Sequence, residues 1–96
     1  MGLQFEWDSE KAHSNQHKHK VTFEEAATVF ADALSITVSD PDHSEYEERY
    51  ITVGLSQRHR LLMVAHTERG GRIRIISARE LTKMEKSDYE QGNYRN

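Results

Sequence analysis

Apolar positions change their spacing several times along the chain, and each change marks an element. Phe5 and Trp7 flank Glu6 at period two, which predicts a short first strand. Asp8 can cap a helix running from Ser9 to about His19. The inward stripe of that helix is sparse: Ala12, Asn15 or Gln16, and His19. Polar residues at core spacing belong either to a shallowly buried helix or to one that faces a functional cleft. Thr22-Phe23-Glu24-Glu25 has the form of a capping box, with Val21 placed to staple onto Ala26. Phe23, Ala26, Ala27 and Phe30 continue as an apolar face, predicting a second helix from Phe23 to about Ala31.

Beyond that helix the period returns to two. Leu34 to Val38 alternates as a strand, and Ser39-Asp40-Pro41-Asp42 ends it in a turn. Asp40 to Glu48 is acidic and expected to form a solvated loop. Three strands should follow, at about Arg49 to Leu55, Arg60 to Thr67 and Arg72 to Ala78. Ser56 to His59 and Arg69-Gly70-Gly71 supply the hairpin turns between them. The middle strand is apolar on both faces, which marks it as central. Thr82-Lys83-Met84-Glu85 is a second capping box, starting a helix that runs to about Gln91. Gly92 is its stop, and Gly92 to Asn96 is expected to fray. The order β-α-α-β-β-β-β-α predicts an α+β fold: a small antiparallel sheet with two N-terminal helices and one C-terminal helix, in a single domain over residues 1–96.

Composition narrows the setting. The chain has 96 residues and no cysteine, so neither a disulfide framework nor a thiolate metal site is available. That fits a reducing compartment better than an extracellular one. No apolar run approaches the ~18 residues that would span a bilayer. The first residues lack the basic and apolar regions of a signal peptide, and a cytoplasmic protein is expected. The net charge of −3 conceals a sorting of charges along the chain. Residues 1–48 carry −8, residues 49–79 carry +6 and residues 80–96 carry −1. Every cation of the middle segment is an arginine, whose planar fork suits phosphate and carboxylate. Either one face meets a polyanion or an acidic partner, or folding pairs the two halves internally.

In Arg72 to Arg79, strict period two would place Ile73, Ile75, Ser77 and Arg79 on one face, with Arg72, Arg74 and Ile76 on the other. Arg79 is thus expected at the end of the face that buries isoleucines. There it could clamp a phosphate or stabilise a developing negative charge. The plainer alternative is an ion pair with Glu80, Glu85 or an acid of the first half. Arg58 and Arg60, flanking His59, are looser candidates for phosphate contact, with simple solvation as the alternative. His13 and His17 have a spacing that metal sites use, but no cysteine and no H-E-x-x-H pattern supports a metal. Solvated side chains are expected there. His19, on the inward stripe, could serve as general acid or base on RNA, or could be a hydrogen-bonded core histidine. His66 on the central strand faces the same choice, with the core favoured. No Gly-rich phosphate loop, nucleotide fingerprint, serine elbow or paired-carboxylate motif appears, which sets aside nucleotide-dependent catalysis and serine hydrolysis.

Phe5-Glu6-Trp7-Asp8, Lys11, Asn15, Lys18-His19, Phe23-Glu24-Glu25-Ala26, Ile75-Ile76-Ser77-Ala78-Arg79, Glu85 and Tyr89 form an ordered set. From Phe5 to about Gln91, this set resembles the BrnT toxin family. One departure is visible: Lys20 stands where the family usually has glycine, between the first two helices. The resemblance implies a ribonuclease toxin of a type II toxin–antitoxin pair, with a fold similar to RelE and RNA cleavage that needs no metal or cofactor. It also implies a BrnA-type antitoxin, a DNA-binding ribbon-helix-helix protein, joined to the toxin as a hetero-oligomer. Under it, Arg79 and Arg60 would stabilise the phosphorane, and Lys18 with His19 would hold phosphate or move protons. Arg58, Arg72, Arg74 and Lys11 would extend the RNA track. A competing reading is a non-catalytic binding module whose basic sheet docks an acidic protein. A nonspecific nucleic-acid binder would want aromatic stacking residues, and only Tyr50 lies in the basic segment.

Overall fold

The computed structural model describes residues 2–40, 42 and 47–92. Most of the expected acidic loop, and the tail beyond Gly92, lie outside the described residues. The elements are β1 (Phe5–Glu6), α1 (Ser9–His19), α2 (Phe23–Thr28), β2 (Ile36–Ser39), β3 (Arg49–Leu55), β4 (Leu61–Arg69), β5 (Arg72–Glu80) and α3 (Lys83–Glu90). Among the described residues no helix is long and apolar enough to cross a membrane.

Local chemistry sets the helix ends. The Asp8 carboxylate accepts the Lys11 N–H at 3.1 Å to start α1, and Lys20 ends it in the left-handed conformation at φ 61°. The Thr22 hydroxyl accepts the Glu25 N–H at 3.0 Å to start α2, but the expected capping box is only half formed. Glu25 turns its carboxylate inward, to the Ser56 hydroxyl at 2.7 Å and to Arg60 Nε at 2.9 Å. A guanidinium outcompetes a backbone amide for a buried carboxylate. The second helix is also shorter than expected, tightening into a 3-10 turn over Val29–Ala31. That turn passes close to β3 at Gly54, where a Cβ would come within 3.0 Å of Val29 Cγ1 and 2.8 Å of the Cβ of Ser35 just beyond the turn.

The five strands form one sheet in the order β1-β5-β4-β3-β2, with the doubly apolar β4 in the centre as its sequence predicts. β2 to β5 pair antiparallel, but β1 lies parallel to β5, so the sheet is mixed rather than wholly antiparallel. No hairpin joins β1 to β5; two helices and three strands separate them in sequence, so no tight turn imposes an antiparallel pairing. Both N-terminal helices cover one face. Val21, Phe23, Ala26 and Val29 pack there on Leu62, Val64, Ile75 and Ala78.

An irregularity in β5 decides where Arg79 points. The β4–β5 register shifts at Ala65/His66: Ala65 pairs with Ser77, His66 with Ile75, and Ile76 has no counterpart on β4. This bulge reverses the alternation beyond it. Ala78 therefore joins Ile75 in the core, both 1% exposed, while Ser77 and Arg79 turn to the opposite face. The expectation that Arg79 ends the isoleucine face is thereby corrected.

β1 pairs with β5 only at Ile73 and Arg74, which leaves the outer edge of β5 open beyond them. Asn15 fills part of that gap. Its amide nitrogen donates to Ala78 O at 2.9 Å and to Val21 O at 3.0 Å, and its oxygen accepts the Ala78 N–H at 3.0 Å. The side chain acts as one peptide unit of a missing strand.

α3 belongs to the opposite face. Its capping box is complete, and the Tyr89 hydroxyl donates to Leu34 O at 2.9 Å, yet none of its residues is buried.

Two substitutions test this account. Asn15→Ala strands three buried backbone groups and should lower unfolding stability by about 2–4 kcal/mol in urea titration. Lys20→Gly removes an unfavourable left-handed residue and should raise it by about 0.5–1 kcal/mol.

Candidate active site

The bulge and the Asn15 clamp bring α1 and the far end of β5 together. His19 comes from the last turn of α1, one turn beyond Asn15, and Arg79 is the residue after Ala78. They line one groove of about 320 Å³ on the sheet face away from the core. Ile51, Met63 and Ala65 give it an apolar floor, and Asp40, Arg49 and Ser77 complete its polar rim. A smaller groove of about 200 Å³ runs on along α1, lined by Lys11, Ser14 and Lys18 together with Ile76. His19 and Ser77 border both.

Arg79 is tightly held within this site. Its Nη1 and Nη2 donate to the two oxygens of Glu85 at 2.8 and 2.9 Å. The same nitrogens also reach Glu80 O at 3.2 Å and Met63 Sδ at 3.3 Å. The Glu85 carboxyl is pushed down to about 2 by the Arg79 guanidinium and the Thr82 backbone N–H, against a smaller opposing effect of burial. One carboxylate thus caps α3 and orients the arginine of the groove.

The other expected site residues are divided among different places. Lys11 and Lys18 join His19 in the smaller groove. Arg60 does not reach Arg79; its guanidinium donates to Glu25, to Glu80 and to Lys20 O. Glu25 is only 3% exposed and is held ionised below its ordinary range, chiefly by Arg60. Removing Arg60 from that pair would leave the buried Glu25 carboxylate with only the Ser56 hydroxyl at 2.7 Å and the exposed Arg58 at 4.0 Å. Arg72 and Arg74 share Glu6, at 3.8 and 3.0 Å. Arg74 lies five residues, or about 16 Å, up the strand from Arg79. Arg58 lines a separate groove on the other flank of α1.

Arg49, Asp40 and the apolar floor were not legible as site residues. Only the pairing register places Ile51 beside Ala65 and Ser77, and Val53 beside Met63 and Arg79. The adjacent isoleucines 75 and 76, interrupting an alternating strand, were the available signal for the bulge.

His66 takes the core alternative. Its Nε2 lies 2.7 Å from the Thr52 hydroxyl, Phe30 meets its ring edge-on and Tyr50 stacks on it. Burial pushes its pKa down to about 4. Among the described residues no three His, Cys, Asp or Glu gather closely enough to hold a metal ion.

Fold and groove together define a small α+β protein that sets an imidazole and arginines over an open sheet face, beside lysines from a flanking helix. The family model described as "Ribonuclease toxin, BrnT, of type II toxin-antitoxin system" matches residues 7–85, and the chain belongs to that family. The crystal structure of the Brucella abortus ribonuclease toxin BrnT is similar in fold, with a TM-score of 0.63 at 18% identity. The match covers 85% of this chain and all of that one. No curated protein matches the chain in sequence.

Two of the three depressed groups, His66 and Glu85, predict separate acid steps. His66 is neutral when folded and binds its proton more readily when unfolded, so stability should fall as pH drops from about 6.5 towards 4. Glu85 contributes stability above its unfolded value of 4.5 and loses it as pH falls towards 2. Equilibrium unfolding of His66→Gln should flatten the first step, and that of Glu85→Gln the second. Unchanged slopes would contradict these environments.

Proposed function

We propose that this family member is a metal-independent endoribonuclease that cuts RNA in the His19–Arg79 groove, and so arrests translation and growth in the cytoplasm. The observation that carries the proposal is the meeting of His19 and Arg79, from distant parts of the chain, over one groove. In such a groove the ribose 2′-hydroxyl attacks the adjacent phosphorus as the bond to the 5′ oxygen breaks. The products are a 2′,3′-cyclic phosphate and a 5′-hydroxyl. His19 accepts the 2′-hydroxyl proton, and the leaving oxygen takes a proton from solvent in the open groove. Arg79, with Arg49 on the same rim, stabilises the added charge on the phosphorane. An approaching phosphate competes with Glu85 for the Arg79 fork, which tempers that charge until substrate arrives. Lys18 and Lys11 hold the flanking phosphates, and Arg74 and Arg72 lie further along the same strand. Arg60 is left out of the machinery because Glu25 holds it.

The neutralising partner is a BrnA-type antitoxin, a DNA-binding ribbon-helix-helix protein that forms a hetero-oligomer with the toxin. The bidentate Arg79–Glu85 pair is a precedent within the chain for carboxylate binding at this surface. The same pair favours a second reading, a non-catalytic module that docks an acidic partner.

Purified protein incubated with RNA in the presence of a chelator separates the two. Cleavage should survive the chelator and fall by roughly 10²-fold or more in Arg79→Ala and His19→Ala, with thermal unfolding still cooperative. Full activity in Arg79→Ala would remove that residue from the site. Absence of cleavage by the unaltered protein, and of growth arrest on expression, would leave the binding module.

A further inference from the structure

α1 has grooves along both flanks, and the reaction proposed above uses only those on one. Lys11, Ser14, Asn15 and Lys18 lie at positions i, i+3, i+4 and i+7 on the flank that adjoins the His19–Arg79 groove. His13, Gln16, His17 and Lys20 repeat the same spacing on the opposite flank. With Thr22 and Arg58 they line a groove of about 430 Å³, larger than either groove of the candidate site. None of its six lining residues is acidic, in a chain whose first 48 residues carry a net charge of −8. Two imidazoles, an ammonium, a guanidinium, an amide and a hydroxyl are what an anion would meet there.

Two of its cations bear on what the groove could hold. Lys20 closes α1 in the left-handed region at φ 61°, where glycine would serve the cap without strain. A lysine held there borders the groove at a conformational cost, its ammonium donating to His17 O at 3.1 Å with hydrogens to spare for an anion. Arg58 projects from the turn between β3 and β4 with its side chain 69% exposed, 4.0 Å from Glu25. Glu25 is already engaged at closer range by Arg60 and Ser56, so it draws little on the Arg58 charge.

We infer that this groove is a second phosphate-binding subsite, which holds the RNA backbone on the far flank of α1 from the cleaved bond. The inference rests on the ribonuclease reading and deepens it. A strand crossing the end of α1 would place one phosphate beside His19 and Arg79, and another beside His17, Lys20 and Arg58. The subsite contributes affinity without reading sequence, since backbone phosphates are alike at every step. Substrates too short to cross α1 would gain nothing from it.

Binding of uncleavable 2′-O-methyl RNA tests the inference, using a dinucleotide and a twelve-nucleotide strand over a range of salt concentrations. The variant is the double substitution Lys20→Gly with Arg58→Ala. Lys20→Gly relieves the strained cap, so the variant should remain folded, and its unfolding curve is recorded alongside. For the long strand, affinity should drop roughly five- to tenfold, and the salt slope should become shallower by about 0.7 for each phosphate that the variant leaves unneutralised. Dinucleotide affinity should stay as in the unaltered protein. Equal weakening for both lengths, or unchanged affinity for the long strand, would overturn the subsite. Unchanged RNA affinity with weakened antitoxin binding would give the groove to the antitoxin and overturn it equally. If the unaltered protein binds and cleaves RNA while the double variant matches it, only this inference fails. If the unaltered protein neither binds nor cleaves RNA, the ribonuclease reading fails and takes the subsite with it.

Discussion

The side-chain amide of Asn15 bonds both backbone groups of Ala78 and the carbonyl of Val21, and the geometry of the site depends on those three hydrogen bonds. Each partner belongs to a different part of the protein: Val21 leads into α2, Ala78 lies in β5 and Asn15 itself sits in α1. The residue is 6% exposed, so water cannot readily stand in for any of these bonds. One helical turn separates Asn15 from His19, and Arg79 directly follows Ala78. A single polar side chain therefore sets the spacing of two groups far apart in sequence. This also explains why α1 holds so few large apolar residues. Its attachment is directional, through hydrogen bonds at a strand edge that β1 leaves uncovered, and needs only Ala12 and its neighbours for apolar packing.

The sorted charges of the sequence have two destinations. Much of the basic segment is matched by acids of the first half: Arg60 with Glu25, Arg69 with Glu47, Arg72 and Arg74 with Glu6. The Arg69–Glu47 pair is largely exposed and contributes little to stability. The Arg60–Glu25 pair ties the start of α2 to the turn between β3 and β4, and removing either member would strand a charge. Arg79, paired with Glu85, and Arg49 border the open face, and Arg58 lies on the far flank of α1. Charge asymmetry along the chain was thus a mixture of internal pairing and a cationic surface, and only the fold could apportion it.

Glu85 joins stability to the site. It accepts from the Thr82 N–H to complete the cap of α3 and from both ends of the Arg79 fork. α3 has no buried residue, so its hold on the sheet depends on polar interactions such as this pair and Tyr89 with Leu34 O.

Period and capping chemistry in the sequence determined the element order, the bounds of α1, the central place of β4 and the existence of α3. These are local properties, settled by which residues recur at two or at 3.6 positions and which hydroxyls or carboxylates precede a helix. The sequence also pointed to His19, Lys18, Lys11 and Arg79 as candidates, the last on the wrong face. Tertiary structure alone decided the parallel pairing of β1, the bulge at Ile76, the diversion of Glu25 from its cap to Arg60, and the presence of Arg49 in the groove. Each of those depends on strand register or on competition between distant partners. A register shift of one residue reverses every side chain beyond it, and the paired isoleucines 75 and 76 hint at such a shift without fixing which partner residues it falls between.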